Sequence, residues 1–357
     1  MELIIGEYNQ LMGGIAMSAE VMEHSEVSGK LMHLLAGSLI TQSIYTVARL
    51  RIPDLLAERP LTCQELAELT QTQASPLYRV MRFLCGEGIF HETEEKTFEL
   101  GPLGQVLRSD TPDSLHASAL MFGQPWHMKP ACHLIDTLTK GIPPFEAAHG
   151  MDIFTYFSQH PEDEQIFQNT MSAYSRRIIP AVLGAYDFSQ FATVIDIGGG
   201  HGILMEQLLR SCKNTRGIVF DQPAVIEGTK QFMKRSGLED RCKCVGGSFF
   251  ESVPEGAEAY IMKHIIHDWS DEESVAILSN CRKAMGNKGK LLLLEIVLDS
   301  GNETNYDTLV DMEMLTKTTG KERTQAEFEQ LYLESGFRLS RVVPTSSTIS
   351  IIEGVPI

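Results

Sequence analysis

The sequence predicts an α/β fold, with a doubly wound, mostly parallel sheet in the carboxyl-terminal half and an amino-terminal all-helical and winged-helix domain before it. After Asp187, strand-like and helix-like segments alternate, which favours parallel strands joined by helices. The apolar strand ending at Ile197 runs into the glycine cluster Gly198-x-Gly200-x-Gly202, a tight turn that lets a ligand approach the backbone. Before residue 110, two helix patterns and a hairpin pattern follow one another in winged-helix order.

Length and composition predict more than one domain. With 357 residues and 43% hydrophobic content, the chain is long enough to bury two cores. We place a winged-helix-like domain at 1–110, a helical linker that contributes to a substrate pocket at 111–185, and the α/β domain at 186–357.

Charge and cysteine usage exclude several classes of protein. The net charge of −17 opposes nucleic-acid binding, because affinity for phosphates comes from clustered Lys and Arg. No run of about 18 apolar residues occurs, and Glu2, Glu7 and Glu20 stand where a signal peptide would need basic residues. The seven cysteines include no C-x-x-C pair, and the histidines show no metal-ligand spacing. We therefore expect a soluble, cytoplasmic protein with small-molecule partners, no membrane partner and no bound metal.

The first element, over residues 31–50, carries apolar side chains almost all the way round a helix. A helix of this kind must be covered on every side, either within its own domain or by another chain. We favour cover by a second subunit, and therefore a homodimer.

The winged-helix pattern follows this helix. Thr62-x-x-Glu65 is a capping box that begins a short helix, a second helix begins at Ser75, and the alternating stretch 89–99 predicts a hairpin. Residues 1–107 hold 7 Lys and Arg against 14 Asp and Glu, which favours a dimerisation module over a DNA-binding regulator.

Large apolar side chains after residue 110 predict a pocket for a flat substrate, since such ligands need an apolar slot and methionine adapts to rings. Spacing does not decide which of them face the pocket. Our candidates, two of them from later in the chain, are Met121, Trp126, Phe167, Met171, Tyr174, Asp311 and Met314. Asp311 either orients the substrate or caps a turn, and the sequence leaves both open.

The strands of the sheet are expected at 193–197, 217–220, 242–246, 258–262 and 290–296, with a closing hairpin over 337–343 and 347–352. Within the third strand, Cys242 and Cys244 are expected to be buried thiols.

Glycine spacing bears on the ligand of the sheet. A dinucleotide fingerprint counted from Gly198 needs its third glycine at position 203, which is Ile203, so a nicotinamide-dependent oxidoreductase is the weaker interpretation. Asp221 ends the second strand, where such folds bind ribose hydroxyls, and suits any nucleoside cofactor.

Three side chains able to carry chemistry are expected at one edge of the sheet. His267 follows a strand and precedes a helix that a capping box at Ser270 begins, so it lies in a loop at the carboxyl end. Glu295 ends the next strand, and Glu322 precedes a helix capped at Thr324. Because crevice residues gather at this edge, histidine and carboxylates can meet there.

These motifs, in this order, resemble those of the class I S-adenosylmethionine-dependent small-molecule O-methyltransferases, the family that contains caffeic acid, flavonoid, acetylserotonin and phenazine methyltransferases. The resemblance rests on the GxGxG cluster, His267-Asp268-Trp269, the strand-end Glu295 and Gly320-Lys-Glu-Arg-Thr324, and it extends over nearly the whole chain. It implies a Rossmann-like catalytic domain behind an amino-terminal winged-helix dimerisation domain.

The resemblance also implies roles for residues. His267 becomes the general base, flanked by Glu295 and Glu322, with Asp268 beside the substrate. Contacts to S-adenosylmethionine are implied for Asp196, Gly198, Gly200, Asp221, Ser248, Phe249 and Lys263. Two positions depart from the family pattern: Ser248 stands where an aspartate usually contacts the adenine amino group, and Tyr174 stands where the plant enzymes often have histidine.

The expected reaction is methyl transfer to a phenolic or enolic hydroxyl, which requires removal of a proton. A phenol has a pKa near ~10 and a histidine near ~6.5, so the base needs carboxylates against its imidazole to stabilise the imidazolium as it forms. The alternative keeps S-adenosylmethionine bound but catalyses a decarboxylation, hydroxylation or pericyclic reaction. A metabolite-sensing winged-helix regulator is a third, weaker hypothesis.

Overall fold

The computed structural model of the chain describes residues 26–299 and 306–357. The chain divides into two compact units, Met1–Gly123 and Gln124–Ile357. The finer division predicted at residues 110 and 185 stays a prediction.

The amino-terminal unit is mainly helical around a small antiparallel sheet of strand order β1-β3-β2. Its elements are α1 (Glu26–Leu35), α2 (Gly37–Arg49), α3 (Ile52–Glu58), β1 (Leu61–Thr62), α4 (Cys63–Thr70), α5 (Ala74–Gly86), β2 (Phe90–Glu92), β3 (Thr97–Leu100), α6 (Pro102–Gln105) and α7 (His116–Phe122). The predicted capping box is present, since Thr62 accepts a hydrogen bond from the Glu65 amide and Glu65 accepts one from the Thr62 amide. Helices α4 and α5 are followed by the antiparallel pair β2 and β3, so the predicted order of two helices and a hairpin is confirmed.

The prediction of one helix over residues 31–50 is wrong. The helix breaks at Ala36, and α1 and α2 are bent by 54°. Gly37 follows the break, and glycine lowers the stability of a continuous helix because its backbone loses more conformational freedom. Among the described residues, no single helix is long and apolar enough to cross a membrane, and α1 and α2 reach that composition only as a bent pair.

The carboxyl-terminal unit contains the large sheet. Its helices are α8 (Pro125–Met128), α9 (Leu134–Lys140), α10 (Pro144–His149), α11 (Ile153–Gln159), α12 (Pro161–Ala185), α13 (Ile203–Ser211), α14 (Pro223–Arg235), α15 (Asp271–Met285), α16 (Tyr306–Lys317) and α17 (Gln325–Glu334). Its strands are β4 (Thr193–Ile197), β5 (Arg216–Asp221), β6 (Cys242–Gly246), β7 (Ala259–Lys263), β8 (Lys290–Glu295), β9 (Val297–Leu298), β10 (Arg323–Thr324), β11 (Phe337–Pro344) and β12 (Ser350–Pro356).

Seven of these strands form one sheet in the order β11-β12-β8-β7-β4-β5-β6. Strands β4 to β8 are parallel, and β12 pairs antiparallel with both β8 and β11. The five predicted parallel strands and the closing hairpin are confirmed, with ends shifted by a few residues. Strand order reverses at β4, whose neighbours β5 and β7 lie on opposite sides, so the ligand crevice is expected beyond β4 and β7.

The sheet is buried on both faces. Leu292 and Leu294 pack into the hydrophobic cluster on one side of β8, and Leu291 and Leu293 pack into the cluster on the other. This explains the run of four leucines, because a parallel strand covered on both faces needs no polar alternation. At the edge strand β6, Cys242 is buried but Cys244 is only partly buried, which corrects the prediction of two buried thiols.

Candidate active site

The glycine cluster after β4 forms the turn that the sequence predicts. Gly198, Gly200 and Gly202 have φ of 69°, 54° and 82°, a left-handed conformation that favours glycine. A Cβ atom on Gly198 would lie 2.4 Å from the Ile265 side chain, so space as well as conformation requires glycine there. The Gly200 amide donates a 2.8 Å hydrogen bond to Oδ2 of Asp221, which fixes the turn against the end of β5.

Charged side chains lie at the strand ends around this turn. Burial raises the pKa of Asp196 to about 7, although the charge of Lys263 opposes the shift. Burial also raises the pKa of Asp221, against its hydrogen bonds from the Gly200 and Gln222 amides. The pKa of Lys263 is lowered by burial. Two carboxyls with raised pKa values would be stabilised as carboxylates by a cationic ligand.

A cavity of about 1120 Å³ opens beside these strand ends. The predicted site residues that line it are Asp196, Gly198, Gly200, Asp221, Ser248, Phe249, Lys263, Phe167, Met171 and Asp268. Its apolar walls include two pairs of stacked rings, Phe154 with Trp269 at 5.4 Å and Phe157 with Phe167 at 4.9 Å between centroids. The cavity therefore combines a polar end with a flat, apolar end.

Other predicted substrate residues lie elsewhere. Met121 belongs to α7 of the amino-terminal unit. Trp126 is buried and packs edge-on against Phe157, with 5.1 Å between ring centroids. Tyr174 is hydrogen-bonded through its hydroxyl to Thr348 at 3.1 Å. Met314 is half-buried in α16. Their roles stay predictions.

His267 lies in a short 3₁₀ turn, Ile266–Asp268, directly after β7, as the sequence predicts. Its Nδ1 is 2.7 Å from Oε1 of Glu322 and 3.8 Å from Oε2 of Glu295. Its Nε2 is 3.7 Å from Oδ1 of Asp268. The structure thus brings together three side chains that are separated by 27 to 55 residues in the chain.

Backbone contacts fix each member of this cluster. Oε1 of Glu295 accepts hydrogen bonds from the Ile265 and Ile266 amides, at 3.0 and 2.9 Å, so it orders the turn that carries His267. Asp311 accepts a 2.9 Å hydrogen bond from the Glu322 amide. Of the two interpretations left open for Asp311, this contact favours a backbone-capping role.

The carboxylates determine the protonation of His267. Burial alone lowers its pKa, but the charges of Glu295, Asp268 and Glu322 outweigh burial and raise the pKa to about 10. Burial raises the pKa of Asp268 to about 6, and the opposing charge of His267 limits this shift. Despite complete burial, the pKa of Glu295 is lowered, chiefly by the charge of His267. The imidazolium is therefore the favoured form of His267 at neutral pH.

Sequence reasoning missed two residues of this neighbourhood. Arg323 is fully buried, and its guanidinium donates 2.8 Å hydrogen bonds to the carbonyls of Ile266 and Trp269. The sequence feature that could have indicated Arg323 is its position next to Glu322 in a polar segment. His264 lies against Glu295, 3.5 Å from Nδ1 to Oε2, and no spacing pattern marked it.

Two family models match the chain. Residues 132–338 match the O-methyltransferase domain, and residues 32–110 match the O-methyltransferase dimerisation domain. The chain belongs to the S-adenosylmethionine-dependent O-methyltransferase family. The resemblance drawn from the sequence motifs is therefore confirmed, as is the Rossmann-like α/β fold with its amino-terminal dimerisation domain.

Relatives within this family differ in the atom that they methylate. The chain is 42% identical to phenazine O-methyltransferase PhzM of Lysobacter antibioticus, over 93% of this chain and 97% of that protein. It is 30% identical to the 8-amino-8-demethylriboflavin N,N-dimethyltransferase of Streptomyces davaonensis, over 94% and 98% of the two chains. Family membership alone leaves the acceptor atom open.

Solved structures of the family show the same fold and the cofactor. LaPhzM aligns with a TM-score of 0.87 at 41% identity, over 93% of this chain and 99% of that one. NcsB1, from neocarzinostatin biosynthesis, aligns with a TM-score of 0.79 at 28% identity, over 89% and 96%, and its crystals contain S-adenosylmethionine and 2-hydroxy-5-methyl naphthoic acid. The protein is an enzyme that uses S-adenosylmethionine to methylate small molecules.

Proposed function

We propose that this methyltransferase acts on a phenolic or enolic hydroxyl of a small, flat, hydrophobic acceptor, with His267 as general base. The observation that carries the proposal is the 2.7 Å contact between Nδ1 of His267 and Glu322 at the carboxyl end of the sheet, with Asp268 of the same turn lining the cavity. This is the arrangement that a base needs to accept a proton of high pKa.

The polar end of the cavity fits S-adenosylmethionine. At Gly200 the turn leaves open space, with nothing within 4 Å of the place that a Cβ would take, and Asp221 stands at the strand end where ribose hydroxyls bind. The raised pKa of Asp196, caused by burial, marks a carboxyl that a cationic ligand would ionise. Ser248 offers a neutral acceptor in place of the usual aspartate. This change weakens binding by about 1–2 kcal/mol if nothing replaces it.

His267 accepts the proton, and the carboxylates beside it orient and stabilise its ring. The Nδ1–H of His267 is donated to Glu322, so the lone pair of the neutral ring is on Nε2. Nε2 lies 3.7 Å from Oδ1 of Asp268, the neighbouring residue that lines the cavity. When bound, S-adenosylmethionine supplies an electrophilic methyl group. Glu295 and Glu322 stabilise the imidazolium once Nε2 has taken the proton. Because the pKa of His267 is raised to about 10, the fraction of neutral base grows as pH rises.

The apolar end of the cavity supports the proposed acceptor class. Stacked rings of Phe157 and Phe167 provide flat walls, and Met171 lines the same cavity with an adaptable side chain. A flat aromatic acceptor gains more from such walls than a flexible aliphatic one, because stacking needs a planar face.

The test compares His267→Ala with wild type on an unactivated phenol such as 1-naphthol, scoring both methylated product and S-adenosylhomocysteine. We expect the rate to fall by about 100- to 10,000-fold, the usual contribution of a general base. His133→Ala is the matched control, since His133 is half-buried beside Asp136 and is not among the residues that line the cavity. Calorimetric titration with S-adenosylmethionine checks that cofactor binding is unchanged.

A wild-type rate in His267→Ala would overturn the base assignment. Product formed without S-adenosylhomocysteine would favour the alternative, in which the cofactor stays bound and the reaction is not a methylation.

A further inference from the structure

His264 is an unusual residue of the base cluster, with a strained backbone and a buried ring. It follows the last residue of β7 with φ of 52°, in the left-handed region that residues with side chains rarely occupy. Its imidazole is 10% exposed and lies beside the rings of Tyr174 and His267, at 5.4 and 4.9 Å between centroids. Such strain persists only where the surroundings fix it, and it concentrates at functional sites.

The two ring nitrogens of His264 are buried, and within the described residues neither makes a hydrogen bond of ordinary geometry. For Nδ1, one acceptor lies at the limit of hydrogen-bond distance: Oε2 of Glu295, at 3.5 Å. A buried polar group without a full partner is uncommon in native proteins and calls for an explanation. The position of Glu295 provides one for Nδ1.

The two oxygens of Glu295 have different surroundings. Oε1 accepts both amides of the turn, whereas Oε2 is buried and has no full hydrogen bond within the described residues. Oε2 lies between two imidazoles, 3.5 Å from Nδ1 of His264 and 3.8 Å from Nδ1 of His267. The Nδ1 proton of His267 already goes to Glu322 at 2.7 Å. His264 is therefore the donor left for Oε2.

We propose that His264 is a positioning residue of the base: its Nδ1–H holds Oε2 of Glu295 away from His267 and so leaves Glu322 as the single hydrogen-bond partner of the base. This inference rests on the proposed function, which makes His267 the base. It assigns distinct roles to the two carboxylates. Glu322 fixes the tautomer of His267, while Glu295 orders the turn and acts on His267 through its charge alone.

Several charged groups surround the two rings. Lys263 ends β7 directly before His264, and Asp268 directly follows His267. Glu295 ends β8, and Glu322 lies directly before β10. Behind Glu322 stands Asp311 of α16, and the hydroxyphenyl ring of Tyr174 on α12 covers His264. Glu295 lies beside both imidazoles, and the rings of His264 and His267 also lie directly beside each other. A variant that keeps a flat ring at position 264 therefore isolates the part of the effect that passes through Glu295.

The sign of the effect follows. Without a donor at position 264, Oε2 of Glu295 moves toward Nδ1 of His267, and the closer negative charge stabilises the imidazolium. The titration of His267 then moves to higher pH. At a fixed pH below that titration, less neutral base is present and methyl transfer slows.

Two variants separate the donor from the ring. His264→Phe keeps a flat ring against Tyr174 and has no donor. His264→Asn keeps a donor at a position close to Nδ1 and tolerates a left-handed backbone. Each is titrated by NMR with ¹⁵N-histidine labelling, His267 being assigned by its loss in His267→Ala, and kcat/KM for 1-naphthol is measured between pH 7 and 9. Thermal unfolding confirms that each variant is folded.

We expect His264→Phe to raise the titration of His267 by about one unit, and kcat/KM below that titration to fall about tenfold. His264→Asn should stay near wild type in both measurements. An unmoved His267 titration in His264→Phe overturns the proposal, and so does an equal shift in both variants, since the ring rather than its donor would then matter. The NMR measurement needs no turnover, so it decides this proposal even if the methylation assay refutes the proposed function.

Discussion

At the scale of single residues, the protonation of the proposed base, His267, is set by the carboxylates that contact it. The pKa of His267 is raised to about 10 because Glu295, Asp268 and Glu322 outweigh its burial. A base with a high pKa accepts a phenolic proton with little free-energy penalty, but little of it is neutral at pH 7. The rate should therefore rise with pH until the neutral form predominates.

Glu322→Gln tests this relation. Removing one negative charge lowers the pKa of His267, so the acidic limb of the kcat/KM profile should move to lower pH by about one unit. The maximal rate should fall by about tenfold or more, because the ring has lost the carboxylate that stabilises its charged form. The measurement is a pH profile of methyl transfer to 1-naphthol.

Glu329→Gln is the control for the loss of a glutamate, since Glu329 is exposed on α17. A limb that stays in place in Glu322→Gln, or moves to higher pH, would contradict the account of His267. The acidic limb of the pH profile is expected to move in opposite directions in Glu322→Gln and His264→Phe. A general loss of activity therefore cannot explain both results.

The sequence identified His267, Glu295 and Glu322 as candidates because each stands at a strand end or before a capping box, positions that a parallel sheet brings to one edge. It gave no such marker for His264. The role proposed for His264 depends on its left-handed backbone and on the orientation of the Glu295 side chain, and no sequence pattern predicts either.

At the scale of elements, the turn that carries His267 is held by the segment that carries Glu322. Arg323 of β10 binds two carbonyls of the turn, and Gly320 packs against its backbone. A Cβ on Gly320 would lie 2.0 Å from the His267 carbonyl oxygen and 2.5 Å from the Trp269 amide nitrogen. The segment and the turn therefore fit together only because residue 320 has no side chain.

Gly320→Ala should displace the turn and lower both stability and activity. We expect a loss of about 1–3 kcal/mol in the free energy of unfolding, the usual range for overpacking, measured by urea denaturation. Gly228→Ala is the matched control, because Gly228 is in α14 with nothing within 4 Å of a new Cβ. That change should stabilise the helix by about 0.5–1 kcal/mol. Equal stability of the two variants would contradict the close packing at Gly320.

Elements with a local chemical signal were predictable. The capping boxes at Thr62, Ser270 and Thr324 each begin a helix at the predicted residue. The break at Ala36 was not predictable from hydrophobicity, because apolar residues continue through it into α2. Periodicity identifies which face is apolar, and it is insensitive to a bend that leaves the apolar pattern unchanged.

At the scale of the whole molecule, α1 presents an exposed apolar face. Leu31, Leu34 and Leu35 are 57%, 66% and 68% exposed, and residues 32–110 match a dimerisation domain. Contiguous exposed apolar surface on a folded protein usually marks an interface. We propose that α1 is covered by a second copy of the chain in a homodimer.

The double variant Leu31→Glu, Leu35→Glu tests the homodimer. Both side chains lie on one face of α1, four residues apart, and charge there opposes burial in an interface. Light scattering should give wild type twice the 39.7 kDa of one chain and give the double variant a mass nearer one chain. Lys30→Ala, on the same helix, should leave the mass unchanged. A double variant with wild-type mass would exclude α1 from the interface.

The glycine turn and the proposed base are held by different hydrogen bonds, and this difference has an evolutionary consequence. The glycine turn is fixed by hydrogen bonds between β4 and β5, whereas His267 is fixed from β8 and the segment before β10. Mutations around His267 can therefore change the proposed proton acceptor without removing the hydrogen bonds that fix the glycine turn. A lineage with this fold can then exchange its acid–base chemistry while the glycine turn stays unchanged, and selection for a new reaction needs to explore only a few positions around His267.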